Sequence, residues 1–97
     1  MSIETVKEIA ATFSLSESQL IEQGVKAFLQ DQLFLLNAEL QTLLVRHGVD
    51  SLEDFDHLLA QKPDEESSLL PDFQRADFLV SRTEEISRWI RELNGKL

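Results

Sequence analysis

His47 and His57 are the side chains in this 97-residue chain whose chemistry best suits a metal or a proton, and Asp54 and Asp56 stand close to the second. Imidazole and carboxylate together can bind a divalent ion, but a ten-residue gap between the histidines matches no tight ligand motif. His47 reads instead as a charge at a helix C-terminus, and His57 as a polar residue on a helix surface. No serine, threonine or lysine occupies a nucleophile motif, and there is no glycine-rich phosphate loop. The chain has no cysteine, so no thiolate ligand or nucleophile exists. The acids Glu84 and Glu85 are adjacent on a helix and point in different directions. These residues predict no catalytic group, no metal and no cofactor: the chain reads as a non-enzyme.

A second group suits recognition better than reaction. Phe78 and Trp89 are eleven residues apart, nearly in phase on an α-helix, with Arg82 and Glu85 between them and Arg75 one heptad before Arg82. Tryptophan and arginine dominate binding hot spots. Arg75, Phe78, Arg82 and Trp89 are therefore the expected partner-binding residues; the plainer reading is that both aromatics complete a core. Net charge is −9. That charge repels phosphate backbones and anionic membranes. It is concentrated from Asp50 to Asp72, where eight acids face one lysine, a solvated acidic segment or a surface for a basic partner. Thr5–Val25 has a helix-turn-helix pattern, which makes a DNA-binding regulator the second functional reading. Its would-be recognition face offers Glu17, Ser18, Gln19, Glu22 and Gln23, which lack the basic groups a DNA reader needs.

The elements that would position these residues are helices. Glycine and proline are scarce, leucine, glutamate and alanine frequent, a composition that favours helix. Helices are expected at about 3–13, 17–47, 52–61 and 72–93. Ser2, Ser16 and Ser51 are their N-caps, Gln19 completes a capping box with Ser16, and Gly48 supplies a left-handed C-terminus. The acidic, proline-containing segment 62–71 reads as a mobile linker. The 17–47 helix would be about 46 Å long, whereas a compact globule of this length has a radius of gyration of about 12–13 Å. Leu29, Leu33, Leu36, Leu40 and Leu43 follow heptad spacing along it, with Ile21, Val25, Phe28 and Leu35 in a second line beside them. The seam is expected to be a dimer interface. Gly24 offers either a bend or a site where another helix approaches closely. The fold class is all-α, an elongated helical hairpin or bundle with one long central helix, completed by dimerisation.

Leu40–Leu59 (LQTLLVRHGVDSLEDFDHLL) resembles a segment of small prokaryotic antitoxins from type II toxin–antitoxin pairs. The shared pattern is a long leucine-rich helix, the turn Gly48-Val49-Asp50-Ser51, the acidic helix start Leu52-Glu53-Asp54-Phe55, and a C-terminal helix with acidic and aromatic residues, here Asp77-Phe78 and Trp89. The resemblance implies a protein that binds and neutralises a cognate toxin, its linker and last helix ordering on contact. The basic N-terminal β-ribbon of better-known antitoxins has no counterpart here. A third reading is a structural subunit of a larger complex. No apolar run reaches the ~20 residues needed to span a bilayer. The start MSIETVKEIA lacks a basic n-region; with the missing cysteine this predicts the cytoplasm.

Overall fold

Each of the first three helices begins at a serine. In the computed structural model, which describes residues 2–95, Ser2 Oγ accepts the backbone N–H of Thr5 at the start of α1 (Ile3–Thr12). Ser16 and Gln19 form the full capping box of α2 (Glu17–Arg46): Gln19 N–H donates to Ser16 Oγ at 3.0 Å, and Ser16 N–H donates to Gln19 Oε1 at 2.8 Å. Ser51 Oγ accepts Asp54 N–H at the start of α3 (Leu52–Gln61). Each cap satisfies a donor that the first turn leaves without a helical partner.

The exits are equally local. Gly48 has φ +66°, its N–H bonds the Val45 carbonyl, and Val49 N–H reaches back to the Leu44 carbonyl. That is a Schellman ending. The end of α1 repeats it with Ser14 at φ +57° and Leu15 N–H on the Ala10 carbonyl, in a backbone region that costs a residue with a Cβ roughly 1–2 kcal/mol.

The expected linker is helical. A 3-10 turn occupies Pro63–Glu65, and α4 then runs unbroken from Glu66 to Gly95 with Pro71 inside it. Pro63 sits at a first helical position, where its missing N–H is harmless. Pro71 deprives the Ser67 carbonyl of its helical donor. Burial on either side offsets that loss: Leu69 belongs to the buried core, and Phe73 packs against it.

The two long helices, thirty residues each, lie antiparallel. His47 sits beside Asp72, Glu39 beside Arg75, and Leu33 beside Thr83 and Ser87. The short α3 closes the elbow between them, and α1 rests on the start of α2 at the far end. The main core fills the elbow with Leu43, Leu44, Phe55, Leu69, Ala76 and Leu79. Phe55 is fully buried there, its ring 4.8 Å from that of His47 and edge-on to Phe73 at 5.5 Å.

This hairpin corrects the expected dimer seam. Leu29 and Leu43 are already buried within one chain, Leu36 and Leu40 pack against its core, and Leu33 lines a groove with Thr83 and Arg91 of α4. The long rod is unbroken, as expected. Its own chain supplies a second rod of equal length, because α4 begins six residues before the anticipated start. α2 runs unbroken through Gly24, and no described residue packs there: a methyl built on it meets nothing within 4 Å. The molecule measures 61 × 26 × 16 Å with a radius of gyration of 19.4 Å.

Candidate protein-interaction face

The second apolar line of α2 remains uncovered. Ile21, Val25, Phe28 and Leu35 are all exposed, Phe28 by 59%. Their spacing turns them onto one side of α2, displaced from the leucine seam that α4 covers. The same side of the hairpin carries Phe78 (42% exposed) and Trp89 (36%) from α4. The two walls meet in a shallow groove lined by Phe28, Leu29, Gln32, Leu36, Phe78, Arg82, Ile86 and Trp89. Isolated exposed apolar residues are ordinary on proteins, whereas interaction sites draw on large contiguous apolar patches rimmed by polar groups.

Charges hold the aromatics in place. The Arg75 guanidinium makes a two-pronged contact with Glu39 across the helices, Nε to Oε2 at 2.6 Å and Nη2 to Oε1 at 2.8 Å. That bond holds the Glu39 carboxyl below its ordinary pKa and raises Arg75. Arg75 and Arg82 both lie over the Phe78 ring, at 5.1 and 5.0 Å from its centre. Arg82 also pairs with Glu85 at 3.2 Å. Arg88 approaches the Trp89 ring at 5.9 Å and pairs with Glu92. Cation–π contacts at exposed sites contribute about 0.5–1 kcal/mol each, enough to bias rotamers. The contacts bias the Phe78 and Trp89 rings toward the orientations seen here.

All four residues expected to bind a partner lie on this face: Phe78, Arg82 and Trp89 line the groove, and Arg75 braces its elbow end. Sequence reasoning placed Ile21, Val25, Phe28 and Leu35 on one line without assigning them to the same surface. Their exposure depends on which line α4 covers, and spacing alone does not say. A family model, Uncharacterized protein MJ0235 family, matches residues 1–97. The chain belongs to that family. The match runs the length of both walls of the groove. No curated protein and no solved structure matches the chain.

The histidines fall elsewhere. His47 closes the elbow, its Nε2 donating to Asp72 Oδ2 at 2.8 Å, and Arg46 Nη1 reaches the same oxygen at 3.1 Å. Chiefly through the His47 bond, and also through Arg46, the Asp72 carboxyl is held below its usual pKa. No short-range signal marks this cluster, since Asp72 is twenty-five residues from His47. His57 is exposed on α3. Among the described residues, no three metal-ligating side chains converge. None of the described helices is long and apolar enough to cross a membrane. Of the residues expected on a DNA-reading face, Gln19, Glu22 and Gln23 line a groove with Lys26 of α2 and Leu93 and Asn94 at the end of α4.

Proposed function

We propose that this chain is a non-catalytic protein-interaction module that docks another protein on the Phe28–Phe78–Trp89 face. The observation that carries this reading is the groove that brings exposed Phe28 of α2 together with Phe78 and Trp89 of α4, with arginines over the α4 rings and with Ile21, Val25 and Leu35 exposed along the same line of α2. Aromatics held this way lose little side-chain entropy when a partner covers them, which favours binding. Every buried side-chain polar atom among the described residues has a hydrogen-bond partner.

Neutralisation of a cognate toxin is the form of this function that the antitoxin-like segment Leu40–Leu59 implies. α4 is already helical without a partner, so recognition would use a preformed surface rather than a segment that folds on contact. Cytoplasmic residence accords with the absence of cysteine. A structural subunit of a larger complex would use the same face. The DNA-binding reading has less support, because the acidic chain and the start of α2 both oppose a phosphate backbone.

The test is Trp89→Ala in tagged chain purified from its own host, with associated proteins identified by mass spectrometry. Trp89 is partly exposed, so the variant should keep its helicity. Its affinity for a partner identified with the wild type should fall roughly 30-fold, as for a central hot spot. Retained affinity would remove Trp89 from the binding surface; lost helicity would reassign it to the core.

A further inference from the structure

We propose that the occupant of this face is a second copy of the chain, laid antiparallel so that α4 packs against α4 of its partner. This deepens, and rests on, the interaction-module reading above.

Three observations carry it. The exposed stripe of α4 is self-complementary about a point midway between Thr83 and Glu84. Phe78 and Trp89 are equidistant from that point, and so are Arg82 and Glu85. Two antiparallel copies centred there bring Phe78 of each into one layer with the partner's Trp89, and Arg82 into one layer with the partner's Glu85. A two-fold interface requires this relation: whatever residue meets another must be met by it in return. The Arg82–Glu85 pair is present within the chain at 3.2 Å. Two such pairs set head to tail form a square of alternating charge, in which each guanidinium has two carboxylate neighbours.

The second observation is the charge of the whole molecule. The acids of residues 50–72 crowd the elbow end of a particle 61 Å long. An antiparallel pair puts the two acidic elbows at opposite ends, several Debye lengths apart at physiological salt. A parallel pair would place them side by side. The face itself is nearly balanced in charge, with Arg75 and Arg82 set against Glu39 and Glu85, so nothing local opposes self-contact.

The third is the incomplete bundle. Past the elbow core, α2 and α4 lie side by side, and among the described residues the face that carries Phe28 and Trp89 is left exposed. Two hairpins stacked through it make a four-helix bundle, the arrangement that buries such stripes.

Sedimentation equilibrium of the full chain tests the idea. The wild type should show twice the 11.1 kDa chain mass at roughly 100 μM, a concentration that reveals even weak pairing. Arg82→Glu puts four acids in the central layers; Glu85→Arg puts four bases there. Each variant alone should remain helical by circular dichroism and weaken self-association at least about tenfold. Mixed in equal amounts, the two should pair with each other, because their charges then complement across the axis. Restoration by mixing separates an interface effect from damage to either fold. A monomeric wild type at that concentration overturns the self-pairing and leaves the wider interaction-module reading to its Trp89 test. So does a dimer indifferent to both reversals, or two variants that fail to rescue one another.

Discussion

Gly24 and Gly48 are the same residue under opposite demands. Gly24 lies in the interior of α2, exposed, where a methyl group would meet nothing within 4 Å. Gly48 holds φ +66° at the Schellman ending of the same helix. Gly24→Ala should therefore raise stability by about 1 kcal/mol, through helix propensity alone. Gly48→Ala should lower it by about 1–2 kcal/mol, through the left-handed backbone. Urea midpoints that shift in opposite directions at constant slope would bear this out; shifts of the same sign would refute it. Local chemistry of this kind was readable without coordinates. Ser16 with Gln19, Ser51 with Asp54, and Gly48 act within a few residues of themselves, and each does what its spacing predicts. Gly24 did not act as a contact site, because an absent side chain announces permissiveness, not the arrival of a neighbour.

The elbow is where separate elements become one unit. Asp72 at the second turn of α4 accepts from His47 and Arg46 at the end of α2, while Phe55 of α3 fills the space beneath the imidazole. Asp72 has its pKa depressed in the folded state. Its contribution to stability is thus complete above the ordinary carboxylate value, about 3.9, and disappears as pH falls through the lower folded value. In Asp72→Asn that contribution is gone at every pH. Urea midpoints measured from pH 7 to pH 2 should show the wild type advantage over this variant shrinking below about pH 4; a constant gap would assign the clamp no role in acid stability. This tie between the long helices was illegible in the sequence, since its members are brought together only by the hairpin. The segment 62–71 departs from its expected linker form for a related reason. Its prolines and acids look like a linker, but Leu69 and Phe73 bury against α2 and α3, and that burial overrides composition. The leucine seam, expected at a dimer interface, is covered by α4 of the same chain; heptad spacing says that a line is buried and leaves open whose helix buries it.

At the scale of the molecule, the chain divides into a filled end and an open end. The elbow gathers most of the buried core, whereas Phe28, Val25 and Ile21 stand uncovered along the distal half of α2. The all-α class and elongated form follow from composition and from a helix too long for a sphere. The face that interaction would use becomes definite only once α4 is seen to cover Leu29–Leu43 and to leave the neighbouring line free. A particle of 61 × 26 × 16 Å also drags more water than a sphere of its mass. On a gel-filtration column calibrated with globular standards, even a single chain should elute ahead of its 11.1 kDa, mimicking a larger species. An elution volume matching a spherical 11 kDa standard would contradict the extended outline. The rod shape thus makes retention time a poor guide to stoichiometry, and weighing the particle the only sound way to count its chains.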